Sequence, residues 1–172
     1  MTTAYATNGV VIRDCTPDDL DVVHALHVDA VLHSTAIWQD TPHPRAYFDG
    51  WLAERQGGGY PVVVAEVDGV VAGYATFSQW RQPDGYRHTV EHSVYVVEAF
   101  RGRGIATTLM AELVARATAE GRHVMMAGIC STNTGSIALH QRLGFTTVAV
   151  VPEVGRKFER WLDLTLMRLP LV

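Results

Sequence analysis

The apolar positions along the chain change period several times, and each change marks an element. Val90, Val94 and Val96 alternate with Glu91, Ser93 and Tyr95, the two-residue period of a strand built from β-branched and aromatic side chains. The period then lengthens. Ile105, Leu109, Leu113 and Ala117 recur every four positions, flanked by Ala106, Met110 and Val114, which predicts a helix with one apolar face. Upstream, residues 10–13 predict a short first strand. Leu20, Val23, Leu26, His27, Ala30 and Val31 predict a helix that begins at Thr16-Pro17-Asp18-Asp19, where a capping hydroxyl, a proline and acids match a helix N-terminus. A second helix is expected near 45–55, closed by Gln56-Gly57-Gly58-Gly59. Between the two helices, residues 34–44 are polar and proline-containing, a loop that carries Trp38.

Two β-rich runs, Val62 to Val67 and Val70 to Phe77, flank Asp68-Gly69, the signal of a type I′ hairpin turn. Gly73 inside the second run predicts a bulge or a close backbone approach. A polar loop at 79–87 leads into the strand around Val90. Residues 123–130 predict a buried strand, and Asn133 is an N-cap candidate for a helix at 137–143 that ends at Gly144-Phe145. Two last strands are expected near 146–151 and 158–168. The layout is an α/β fold of α+β type: a mixed central sheet of about six to seven strands flanked by about four helices. It forms a single domain over 10–172 behind a flexible tail at 1–9.

Composition narrows the function classes. The chain has 172 residues, enough for one adequate core, with 48% hydrophobic and 19% charged residues. A net charge of -4 argues against a general nucleic-acid surface. No apolar run approaches the ~20 residues of a membrane span. The N-terminus has neither the basic start nor the apolar core of a signal peptide. Two cysteines, Cys15 and Cys130, are too few for a disulfide framework and are expected as buried thiols in a reducing cytoplasm. His24, His27 and His33 share a helix, but no fixed carboxylate or cysteine completes a metal site, and none is expected.

The chemistry concentrates where the strand around Val90 meets the next helix. Arg101, Gly102, Arg103 and Gly104 join two bare residues to two fixed positive charges, and the helix start beyond them leaves unpaired N–H groups. These features suit a di- or triphosphate. A P-loop would need Lys then Ser/Thr where Ile105 stands. A dinucleotide fingerprint would need Gly or Ala at Thr107 and an acid about twenty residues on.

The run R-x-x-G-x-A, Arg101 to Ala106, resembles the pyrophosphate-binding signature of the GNAT acetyltransferase superfamily, which holds acetyl-coenzyme A. A second run, N-x-x-S-x-x-L-H-x-x-L-G-F from Asn133 to Phe145, resembles that superfamily's N-x-x-A/S-x-x-L-Y-x-x-L-G-F. The likeness covers roughly 11–169. It is nearest to the branch of phosphinothricin and methionine sulfoximine acetyltransferases, through T-A-I-W, T-V-E-H-S-V-Y-V and V-G-R-K-F-E-R-W-L-D.

The resemblance implies an enzyme that acetylates the α-amine of a small amino acid or toxic analogue through a tetrahedral intermediate. Backbone groups of Val94, Tyr95 and Val96 would hold the pantetheine arm. Arg101, Gly102, Arg103, Gly104, Ile105, Ala106 and Thr107 would hold the pyrophosphate, and Asn133 and Ser136 would add cofactor contacts. Glu91 would be the base, directly or through water, with a plain strand carboxylate as the competing role. His140 stands where many members carry tyrosine as general acid; it is either that acid or a core histidine on the stripe of Ile137 and Leu143. For the substrate, the loop at 79–87 offers Arg81, or else Arg87, to pair a carboxylate, with plain surface arginines as the competing role; Ser93 shares the face of Glu91, and Trp38 either walls the pocket or packs on the core edge. A homodimer is implied by the likeness alone. Two competing readings are a protein or peptide N-terminal acetyltransferase and a non-catalytic acetyl-coenzyme A sensor.

Overall fold

The computed structural model describes residues 5–7 and 9–171. In chain order the elements are β1 (Tyr5–Thr7), β2 (Val10–Asp14), α1 (Leu20–His33), α2 (Tyr47–Gly57), β3 (Val62–Val67), β4 (Val70–Gln79), β5 (Thr89–Val96), α3 (Ile105–Ala119), β6 (Val124–Cys130), α4 (Thr134–Arg142), β7 (Thr146–Lys157) and β8 (Arg160–Pro170). The hydrogen-bonded strand order is β1-β2-β3-β4-β5-β6-β8-β7. The sheet is mixed, as expected. β5 and β6 run parallel, whereas β1–β2, β2–β3, β3–β4, β6–β8 and β7–β8 are antiparallel. A parallel pair needs a long crossover, and α3 supplies it.

The strands number eight among the described residues, against the six or seven expected. The extra one is β1, which lies within the stretch read as a tail and pairs Tyr5, Ala6 and Thr7 with Ile12, Val11 and Val10. Three residues carry too little periodicity to announce a strand. Residues 1–4 and 8 of that tail lie outside the described residues.

The chain divides into two compact units. One takes the chain up to His27, then His43–Ser78 and His92–Arg116; the other takes Val28–Pro42, Gln79–Glu91 and the chain from Ala117 onward. In the first unit, Cys15, Leu20, Val23, Leu26, Phe48, Leu52, Val62, Val64 and Tyr74 form a buried cluster against which Trp51 and Tyr95 pack. Burying each large side chain contributes about 1.5–3 kcal/mol. The start of α1 is held by Asp19, whose carboxylate accepts the Thr16 N–H at 2.8 Å and pairs with Arg13 at 2.7 Å. The β3–β4 turn has Asp68 at φ 50 and Gly69 at φ 80, the left-handed pair of a type I′ turn. The register shifts between Ala65 and Glu66, opposite Gly73 and Val71, so the predicted bulge is present.

In the second unit, β7 and β8 both differ in extent from the expected strands. β7 continues from Val151 through Pro152 to Lys157. Proline is tolerated because β7 is an edge strand, where one row of N–H groups needs no neighbour. A register shift between Val151 and Gly155 absorbs the extra residues, with Glu153 at φ 51. The hairpin then turns at Phe158 (φ 50) and Glu159 (φ 59). With no Gly, Asn or Asp at the turn, the sequence carries no turn signal there.

Candidate active site

Two sets of side chains carry the expected chemistry, one in each unit. In the first unit, Gly102 (φ 74) and Gly104 (φ 80) occupy the left-handed region that glycine adopts freely. A Cβ on either would meet nothing within 4 Å, so this turn is open on its outer side. α3 starts at Ile105, and its first turn holds no acidic side chain. The N–H groups that lead the helix thus present partial positive charge with no carboxylate of their own turn against it. Ile105 is 2% exposed and anchors the turn in the core, so only its backbone faces outward. Arg101 donates from Nε to the Val96 carbonyl at 3.2 Å, tying the turn to the end of β5. The Arg103 guanidinium lies over the Phe100 ring at 5.4 Å, held yet exposed. Gly73 is bare for a reason: a Cβ there would stand 2.5 Å from the Tyr95 carbonyl oxygen. That clearance lets β4 close on β5, where the Val97 N–H donates to Ala72 at 2.8 Å. The Ser93 side chain hydrogen-bonds the phenol of Tyr95, which burial pushes to a higher pKa. The Tyr95 ring in turn lies 5.3 Å from that of Tyr74.

In the second unit, Glu91 is half-buried on β5. Burial raises its pKa above the ordinary carboxylate value, and the charge of Arg81 pulls in the opposite direction. One oxygen of Glu91 sits 3.2 Å from where a Cβ of Gly128 on β6 would stand. The bare Gly128 therefore makes room for the carboxylate. Arg81 is exposed, stacks 4.9 Å over Trp80, and has its backbone carbonyl fixed by the Gln79 amide at 2.6 Å. Asn133 caps α4, its side-chain oxygen accepting the Ser136 N–H at 3.1 Å. His140 is 2% exposed; its Nδ1 donates to the Ser136 carbonyl at 2.7 Å, and its ring meets Phe145 edge-on at 5.0 Å. Burial lowers the His140 pKa, against which the Ser136 bond works. Because a carbonyl can only accept, Nδ1 carries a proton. Trp38 donates from Nε1 to the Thr35 carbonyl at 2.9 Å, and its indole fills the space a Gly155 side chain would need.

Several residues near these groups were not singled out by the sequence. Gly128 and Gly155 matter for the side chains they admit. Lys157 is buried at 3% exposure and donates to the carbonyls of Ala30 (3.4 Å), Ser34 (2.7 Å) and Ile37 (2.5 Å). It thus closes the C-terminal end of α1 with a positive charge and fixes the loop that carries Trp38. A lone glycine inside the β6 run was the available signal for Gly128; nothing local marks Lys157. The α1 histidines are otherwise engaged: His24 meets the His43 carbonyl at 3.2 Å, His27 accepts the His43 N–H at 3.1 Å, and His33 pairs with Asp29.

A model of the acetyltransferase (GNAT) family matches residues 23–145. The chain belongs to the GNAT acetyltransferase family. Its similarity to characterised members is high. It is 48% identical over 162 residues to the L-methionine sulfoximine/L-methionine sulfone acetyltransferase of Salmonella typhimurium, covering 94% of this chain and 95% of that protein. The structure of yncA from Salmonella typhimurium with its cofactor acetyl-CoA superposes with a TM-score of 0.93 at 48% identity, covering 96% of this chain and 95% of the other. A phosphinothricin acetyltransferase of Sinorhizobium meliloti, in complex with acetyl-CoA, gives 0.92 at 38% identity, over 95% and 89% of the two chains. In this GNAT protein, as the sequence anticipated, an arginine- and glycine-rich turn opens the helix after β5.

Proposed function

We propose that this acetyltransferase moves the acetyl group of acetyl-CoA to the α-amine of a small amino acid, of the methionine sulfone, methionine sulfoximine or phosphinothricin type. The observation that carries the reading is Glu91: a half-buried strand carboxylate with a raised pKa, accommodated by Gly128 and felt by a nearby arginine. A carboxylate poised in this way accepts the proton of a substrate ammonium more readily than an exposed one. The freed amine attacks the thioester carbonyl, the C–S bond of the tetrahedral intermediate breaks, and coenzyme A leaves as thiolate, which takes up the proton that the new amide nitrogen sheds. A backbone N–H near Val96 is assigned to the developing oxyanion. Arg101 to Thr107 are assigned to the pyrophosphate, and Asn133 and Ser136 to further cofactor contacts.

His140 had two roles open to it. Its burial, its lowered pKa and the commitment of its Nδ1 proton to the Ser136 carbonyl support the structural one: it ties the side chain back onto the first turn of α4. An alkyl thiol titrates near about 8.5, so the thiolate departs without a strong acid. Arg81 is assigned to the substrate carboxylate, and Trp38 to the wall of the acceptor pocket. Ser93 is assigned to holding Tyr95 in place beneath the substrate face of β5.

The reading extends to a cytoplasmic homodimer that binds neither nucleic acid nor membrane. No helix among the described residues is long and apolar enough to cross a bilayer. Val148, Val150, Val154 and Trp161 stand 50–62% exposed on the β7–β8 hairpin, apolar area that a second copy would cover.

The test is a thiol-release assay with acetyl-CoA over a panel of free amino acids, methionine sulfone, phosphinothricin and a peptide N-terminus. Turnover of the free amino acids with a poor peptide rate supports the reading. A preference for the peptide, or no release with any amine, overturns it.

A further inference from the structure

Away from Glu91, the second unit holds an open cavity of about 410 Å³ lined by His33, Ser34, Thr35, Ala36, Thr132, Asn133, Phe158 and Arg160. Its lining comes from three places in the chain: the loop after α1, the turn from β6 into α4, and the start of β8. No carboxylate lines it. His33 is taken by Asp29 on its own helix, at 3.1 Å. Arg160 is exposed and forms no ion pair among the described residues; its charge is felt instead by the Cys130 thiol. Around that guanidinium the cavity offers hydroxyls. Thr132 Oγ1 lies 3.3 Å from Cys130 Sγ, and the Thr35 side chain bonds the same thiol. A thiol is a weak partner, so both hydroxyls keep capacity to bond a better acceptor. The cavity is thus a cation and several hydroxyls around a volume suited to a small ligand, with Phe158 as its apolar wall. An exposed guanidinium among neutral donors selects a ligand with clustered oxygen acceptors.

We propose that this cavity is the specificity subsite for the acceptor's side chain, in which Arg160, Thr35 and Thr132 take the oxygens of a tetrahedral sulfonyl, sulfoximine or phosphinyl group. The inference rests on the amino-acid reading above and names the residues that choose among amino acids. Two features connect the cavity to the reaction. It is bounded by Thr35 and Ala36, within the same T-A-I-W stretch as Trp38, and it shares Asn133 with the residues assigned to the cofactor. A thioether offers these donors no oxygen, and a carboxylate presents its two oxygens in one plane rather than about a tetrahedral centre, so the subsite separates oxidised sulfur and phosphorus centres from ordinary side chains.

The experiment compares wild type with Arg160→Met and Thr132→Val for three acceptors of similar length: phosphinothricin, methionine sulfone and unoxidised methionine. Loss of a charge-assisted hydrogen bond should cost about tenfold or more in kcat/KM. For Arg160→Met that loss is expected with phosphinothricin and, more weakly, with the sulfone, while methionine changes little and acetyl-CoA affinity by calorimetry stays constant. Thr132→Val should show the same ranking at smaller size. An equal loss for all three acceptors, no loss for any, or a weakened acetyl-CoA affinity would overturn the assignment. If wild type acetylates none of the three, the amine reading fails by itself. The subsite is then judged by NMR titration of phosphinothricin: binding that Arg160→Met abolishes retains it, and binding that is absent or unchanged in the variant removes it.

Discussion

At the scale of single residues, the position of charge relative to water decides what each group can do. Glu91 is the clearest case. Its pKa is raised by burial, so the ionised fraction, the form that the proposed base role needs, grows as pH rises through that raised value. kcat/KM should therefore climb on the acid side along a limb set by Glu91. In Glu91→Gln, turnover should fall by about 10²–10⁴-fold and this limb should vanish, while acetyl-CoA affinity holds. A pH–rate profile that keeps its acid limb in the variant would remove Glu91 from the chemistry. Lys157 is the converse, a buried cation whose work is structural. Burial lowers its pKa, which the charge of Asp40 opposes. Lys157→Met would leave the Ala30, Ser34 and Ile37 carbonyls without their donor, and the loss is expected to be about 2–4 kcal/mol of unfolding free energy in urea titration. The sequence announced Glu91 through its place on an alternating strand. It could not announce Lys157, because a lysine next to arginine and phenylalanine reads as an exposed charge until its three acceptors are known.

At the scale of elements, two pieces of local geometry matter most. The first is the turn into α3. Its left-handed glycines and helix start follow from the sequence, since only a few residue types suit those backbone angles. Arg103→Ala removes an exposed charge from this turn without disturbing Ile105 in the core. Acetyl-CoA should then bind about 5–30-fold more weakly by calorimetry, the worth of one charge-assisted phosphate contact, with the fold intact by circular dichroism. Unchanged affinity would move the pyrophosphate elsewhere. The second is the β5–β6 pair, where Glu91 stands opposite Met126 and its carboxylate reaches over Gly128. Gly128→Val should push the carboxylate aside and lower kcat with little effect on acetyl-CoA affinity; a variant with full kcat would show that the glycine's bareness serves something else. The β7–β8 hairpin was legible only in part. Pro152 and the glycine-free turn at Phe158-Glu159 hid its length, because an edge strand and a left-handed turn of ordinary residues both depend on neighbours far along the chain.

At the scale of the whole molecule, family membership and charge set the frame. A net charge of -4 is compatible with an anionic cofactor because Arg101 and Arg103 both lie in the turn that precedes α3. The proposed homodimer is tested at this scale. Sedimentation equilibrium at micromolar concentration should give twice the mass of one chain, and Val150→Glu combined with Trp161→Glu should shift the protein toward the monomer by burying charge in the interface. A wild-type protein that sediments as a monomer would end the dimer reading and leave the exposed valines of β7 unexplained.

The sequence by itself determined the elements and the glycine turn that opens α3. Strand and helix periods, caps, the Asp68-Gly69 hairpin and the glycines of the α3 turn are local properties of backbone angles and side-chain spacing, and they were readable in order. Tertiary structure decided which charged groups are buried and what they meet. Lys157 bonds Ala30 across 127 residues, Glu91 fits over a glycine on another strand, and Arg160 shares a cavity with Thr35. The physical reason is desolvation. A charge acquires its pKa, its partners and its role from the groups that replace water around it, and those groups are brought together only by the fold.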